Sequence, residues 1–186
     1  LPMVQEILAD AELTLAQLDG IAFGAGPGSF TGLRIACGVA QGLAFATNLP
    51  IVGVSTLEAI AQQTGEQKII AALDARMGEI YHAAYQRLAQ HCWQAISPPM
   101  LCHPQQAPSV VGDEWHGCGS GFDAYTQELS IIYTKNIHQI HFGHHPHARE
   151  IAQLAIPKFT DGTDTEPANA APVYIRNKVA LKENER

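Results

Sequence analysis

The chain has 186 residues, 46% of them hydrophobic, enough to build a core in one domain or two small ones. Only 16% are charged and the net charge is −7, which argues against a primary nucleic-acid binder, since phosphate contacts need clustered Lys and Arg. No apolar run is long enough to span a bilayer, no secretory leader is visible, and Cys37, Cys92, Cys102 and Cys118 form no C-x-x-C pair, a pattern that suits a reducing, cytoplasmic compartment.

The chain opens at Leu1 directly on a helical pattern, with Leu1, Val4, Leu8 and Ala11 near helical spacing and Met3 and Ile7 beside them. The spacing predicts an amphipathic helix over 1–10, and its uncapped apolar start predicts a segment before it. Thr14 caps a short turn, Leu15 to Leu18, and Ile21 to Gly24 reads as a buried strand. The densest signal follows: Gly24, Gly26, Gly28 and Gly32 interleaved with Pro27, Ser29 and Thr31. Glycine at this density marks a sharp turn or a close approach, and a strand-to-helix junction presents free N–H groups to an anion or to a neighbouring backbone. No lysine follows Gly32 and position 31 is Thr, so the loop is neither a Walker A motif nor a G-x-G-x-x-G fingerprint.

Thr31 to about Thr47 reads as a helix so apolar all round that it should be covered on more than one side, with Gly38 and Gly42 placed for close packing. Ile51 to Val54 is a strand, and Ser55 caps a helix over 56–63 with Glu58 at its third position. Strand–helix–strand–helix order predicts a parallel sheet with covering helices. At Thr64-Gly65 the pattern changes to strands over 68–75 and 79–88, and 93–96 continues the meander. Pro98-Pro99 reads as a loop, 116–119 as the end of a strand, 120–129 as a helix, 131–133 as a strand and 146–156 as a helix. Pro172 to Ile175 is extended, and a polar tail follows. The expected division is 1–64, 65–175 and a tail over 176–186.

Each candidate for chemistry has a plainer structural explanation. His138, His141, His144, His145 and His147 could chelate a metal, but Gly143 and Pro146 oppose a continuous helix and no H-E-x-x-H is present, so the stretch reads as a solvated loop capping the next helix. Cys102-His103 with Cys118 lacks the usual ligand spacing. Asp74, Arg76 and Glu79 read as an ion-paired turn rather than a substrate clamp, and Ser55 as a cap rather than a nucleophile.

Several segments together carry a resemblance. Gly26-Pro27-Gly28-Ser29-Phe30-Thr31-Gly32-Leu33-Arg34-Ile35, Gly38-Val39-Ala40-Gln41-Gly42-Leu43-Ala44, Leu49 to Leu57, Leu73 to Tyr81 and Pro172 to Asn177 closely resemble the TsaB (YeaZ) family, needed to make threonylcarbamoyladenosine in tRNA. The resemblance implies an actin-like ATPase fold of two lobes, the first lacking its opening strands here. It implies an accessory subunit with no catalytic residue, metal or cofactor of its own. The paralogue TsaD transfers the threonylcarbamoyl group and carries a metal-binding His pair on a first-lobe helix, whereas no histidine follows Ser55 in the corresponding stretch here. The implied partners are TsaD, the ATPase TsaE and a second copy of the chain, with tRNA reached only through the complex. Met3, Val4, Ile7, Leu8, Leu33, Ile35, Val39 and Leu43 are the expected interface; Gly26, Gly28, Ser29, Thr31, Gly32 and Arg34 are a possible ligand or partner contact. The rival expectations are a metal-dependent peptidase, for which the His cluster is the candidate, and a nucleotide-hydrolysing enzyme of the same fold.

Overall fold

A computed structural model describes residues 1–163 and 165–176. Pro2–Asp10 is helix α1, and none of its residues is buried. After a single 3-10 turn over Leu15–Gln17, Ile21–Gly26 forms β1 and Phe30–Thr47 forms α2. Ser29 caps α2 by accepting the Gly32 N–H, and Asn48 ends it in the left-handed conformation that releases the chain toward Pro50. Ile51–Ser55 is β2, parallel to β1 with Ile21 opposite Ile51, and Thr56–Thr64 is α3. Ser55 accepts the Glu58 N–H, the cap the sequence called for, and Gly65 closes α3 at a positive φ.

The second sheet has the order β5-β4-β3-β6-β7. Lys68–Arg76 is β3, Glu79–Ala89 is β4 and Cys92–Cys102 is β5, an antiparallel meander. Trp115–Cys118 (β6) pairs parallel with β3, and Ile137–His141 (β7) pairs parallel with β6. Between them lie α4 (Ser120–Ala124) and α5 (Thr126–Ile132); Ala148–Thr160 is α6.

Four apolar clusters stack these elements in layers. Phe23, Ala25, Cys37, Ala40 and Ala44 join β1 to α2. Val52, Val54, Ala59, Ile151 and Leu154 join the other face of that sheet to α3 and α6. Leu57, Ile60, Ile69, Ala71 and Tyr85 place α3 on one face of the second sheet as well. Ile70, Ile80, Trp115, Phe122 and Tyr133 close its far face with α4 and α5. The order is therefore helix, sheet, helix, sheet, helix, with α3 shared by both sheets.

Several sequence expectations are corrected. Pro98 and Pro99 lie inside β5 rather than in a loop; β5 is an edge strand and its register slips between Ser97 and Met100, so their missing N–H groups break no ladder on a central strand. The strand expected over 131–133 falls in the end of α5 and beyond it, where Tyr133 is buried under the sheet. The helix expected over 120–129 is split at Tyr125, which has non-helical dihedrals. α6 packs on β1, β2 and α3. The tail beyond Arg176 lies outside the described residues.

Candidate functional sites

The Gly-rich loop forms one wall of a cleft of about 440 Å³ between the two sheets. Gly26 ends β1 at φ 113°, and a Cβ there would meet Leu33 Cδ1 and the Val173 carbonyl at 2.9 Å, so this position requires glycine for both conformation and space. The Gly26–Pro27 peptide is cis, and the Thr56 hydroxyl donates to the Pro27 carbonyl, tying the loop to the start of α3. Opposite stand Asp74, Arg76 and Met77 of the β3–β4 turn, with Val173 to Arg176 along one side.

Among the described residues, the cations in and beside the cleft each have a partner. Arg34 Nε donates to Tyr174 Oη at 2.9 Å, and its guanidinium lies 3.9 Å from the centre of the Phe30 ring. Arg76 pairs with Asp74 at 3.0 Å within its turn. Arg176 pairs with Glu79 at 2.8 Å and donates to the Ala75 carbonyl at 2.9 Å. The Asp74–Arg76 pair is thus the turn-stabilising contact expected, while Glu79 instead joins the C-terminal segment to the second sheet. Ser29 is occupied as the α2 cap. Thr31, Gly32 and Arg34 lie at the exposed start of that helix.

A second surface lies on the opposite side of α2. Leu33, Cys37, Ala40 and Ala44 recur every three or four residues and are buried against β1. The outward positions are apolar too. Ile35 is 61% exposed and Phe45 80% exposed, Val39 is also exposed, and a Cβ on Gly38 or Gly42 would meet nothing within 4 Å. The helix is apolar nearly all round, as read, with Arg34 and Gln41 as its polar strip, but one apolar side is bare. On α1, Met3 and Ile7 are exposed, as is Leu1 just before it, and Val4 and Leu8 are half-buried. Of the expected interface residues, Leu43 is half-buried, and Leu33 is corrected: at 8% exposure it lies inside, against Gly26, because the α2 cap turns it toward β1.

A family model described as "TsaD: tRNA N6-adenosine threonylcarbamoyltransferase" matches residues 1–111. The tRNA threonylcarbamoyladenosine biosynthesis protein TsaB of Escherichia coli (strain K12) is 37% identical over 194 residues, covering 98% of this chain and 81% of its own. The protein of the same description from Haemophilus influenzae is 36% identical, over 98% of this chain and 80% of its own. The chain belongs to the TsaB family. Two solved structures agree. YeaZ from Pseudomonas aeruginosa superposes with a TM-score of 0.85 at 36% identity, covering 93% of this chain and 81% of that one. A protein from the same organism, described as similar to peptidase YEAZ, superposes with a TM-score of 0.86 at 36% identity, covering 94% and 82%. The architecture is the actin-like fold, its mixed sheets covered by helices.

Within this TsaB-family fold the other candidates separate. Ser55 caps α3 and lies 3.5 Å from Tyr85 Oη. Cys102 and Cys118 stand on β5 and β6, with β4 and β3 between them, and pack in clusters on opposite faces of the sheet. Burial pushes both thiols up. The His-rich stretch is not all loop: His138 and His141 belong to β7, and His141 meets His116 and Glu66. Sequence spacing hid this grouping because its three residues come from β6, β7 and the turn after α3. Among the described residues, no helix is long and apolar enough to cross a membrane.

Proposed function

We propose that this chain is a non-catalytic scaffold subunit in the making of tRNA N6-threonylcarbamoyladenosine, the modification next to the anticodon. In this reading it works in the cytoplasm, binds and activates the transferase TsaD together with the ATPase TsaE, and meets tRNA only through that complex. The observation that carries the reading is the bare apolar side of α2. Ile35, Val39 and Phe45 are large and exposed, and Gly38 and Gly42 beside them present no side chain, so a partner helix can approach closely. The exposed Met3 and Ile7 of α1 supply further apolar area. Full burial of any one of these large side chains is worth about 1.5–3 kcal/mol. In isolation the same surface would pair two copies of the chain. The names of the relatives and the match to the TsaD model support the assignment. The ion pairs of Arg76 with Asp74 and of Arg176 with Glu79 in the cleft favour a structural role for the Gly-rich loop over phosphate chemistry.

The test is size exclusion with light scattering on this chain mixed with TsaD, with and without TsaE and nucleotide. The expected result is a heterodimer replacing both free species, and its loss in Val39→Asp with an unchanged far-UV spectrum. A Val39→Asp variant that still binds TsaD would overturn the interface. Absence of any association would overturn the scaffold role.

A further inference from the structure

Five of the nine histidines lie between His138 and His147, and the scaffold role uses none of them. The fold gathers two of this group against a third histidine and a carboxylate. His141 Nε2 on β7 lies 3.0 Å from His116 Nδ1 on β6, with the rings 5.2 Å apart. His116 Nε2 lies 3.7 Å from Glu66 Oε2, just beyond the end of α3. One ligand atom from each of the three residues falls within 4.8 Å of the others. The His144 ring is 5.7 Å from that of His141, and His138 is 5.4 Å from His116.

The cluster is held from several directions. His116 is buried, on the face of β6 that also carries Cys118 toward α3. A register slip between Trp115 and His116 lets Ile137 and Ile140 pack toward α5 while His138 and His141 bring their rings to His116. The turn carrying His144 is fastened on both sides: the Gly143 N–H donates to Asp123 at 3.1 Å, and the Gln63 amide donates to the His145 carbonyl.

We propose that Glu66, His116 and His141 bind one divalent transition-metal ion of the zinc class, with His144 as fourth ligand. Two nitrogens on a tetrahedral zinc stand about 3.4 Å apart, a few tenths of an ångström from the separation seen here. Imidazoles with one carboxylate and no thiolate suit Zn²⁺, and exclude a soft-metal or calcium site. The bound ion would clamp the edge strand β7 and the turn after it to the end of α3.

The test uses the full chain, stripped of metal by a chelator and titrated with Zn²⁺ against a chromophoric competitor, and separately with Co²⁺ followed by visible absorption. We expect one equivalent, the d–d bands of a tetrahedral ion, and a rise in Tm on binding. His141→Ala and Glu66→Gln, neither of them in the core, should each weaken binding by about 100-fold or more, at least the loss that follows removal of a supporting outer partner. His147→Ala should leave binding unchanged. The proposal is overturned by no stoichiometric binding, by binding that His141→Ala and Glu66→Gln leave intact, or by loss on His147→Ala alone. Association with TsaD is a separate readout, so failure of one reading leaves the other standing.

Discussion

His82 shows what a single buried titratable group does to this fold. It lies on β4, fully enclosed, with Nε2 2.8 Å from Tyr133 Oη. The tyrosine's one hydrogen goes to the Pro108 carbonyl at 2.8 Å, so His82 Nε2–H donates to the phenol oxygen. Its Nδ1 is buried without a partner among the described residues, and burial pushes the pKa down to about 4 from an ordinary 6.5. Above pH 6.5 the ring is neutral in both folded and unfolded chains. Below it, the unfolded chain takes up a proton that the folded one refuses, so stability falls by about 1.4 kcal/mol per pH unit until the folded pKa is reached. The total is about 3 kcal/mol. Urea unfolding of the wild type and of His82→Leu at pH 7 and pH 4.5 checks this, because the other histidines cancel in the comparison. The difference between the two proteins should shift by 2–3 kcal/mol in favour of the variant at the lower pH (roughly the 1.4 kcal/mol per unit above), and a constant difference would refute the assignment. Nothing in the strand pattern of residues 79–88 marks His82 as enclosed; the α4–α5 cover that encloses it is built from a distant part of the chain.

At the scale of elements, two kinds of glycine predict opposite outcomes. Gly38 and Gly42 sit in the middle of α2, with open space where a Cβ would go. Alanine at either should stabilise the isolated chain by about 0.5–1 kcal/mol, because helix-interior glycine is the more flexible in the unfolded state. The same changes should weaken association with TsaD, since they add bulk where a partner would approach. Gly119, after β6, has φ +97°, and a Cβ there would lie 2.4 Å from the Ala72 carbonyl oxygen and 2.6 Å from Ile60 Cδ1. Gly119→Ala should therefore cost about 3 kcal/mol or more, seen as a lower urea midpoint. The legible elements were those whose local pattern agrees with their surroundings: the strand at Ile21, the capped helices after Ser29 and Ser55, and the hairpin around Gly78. Those missed were set by the sheet. β5 keeps Pro98-Pro99 because an edge tolerates missing donors, and β7 hides its alternation behind a slip that spaces His138 and His141 three apart on one side. The proposed partner surface was legible as an apolar helix; that its far side is bare, and that Leu33 is not on it, required knowing where β1 lies.

At the scale of the molecule, the two sheets share α3, and the chain crosses between them a final time near its described end. After α6 returns to the first sheet, Thr165 bridges to Ile51 and the Val173 N–H donates to the Ala25 carbonyl at 2.7 Å. Arg176 then reaches across the cleft to Glu79 and the Ala75 carbonyl on the second sheet. No composition shift in the sequence announces this return. The Arg176–Glu79 pair is largely shielded from water, with side chains 12% and 23% exposed. Removing the arginine therefore strands a carboxylate and a carbonyl acceptor, a loss of about 2 kcal/mol by the usual penalty for unpaired buried groups. Arg176→Ala should lower the urea midpoint accordingly and speed amide exchange at Val173, the donor that fastens the same segment to β1. Glu79→Gln together with Arg176→Met, which removes the pair while keeping its bulk, should recover part of the midpoint. If Arg176→Ala leaves exchange at Val173 unchanged, the segment is held by the first sheet alone, and the ion pair does not couple the lobes.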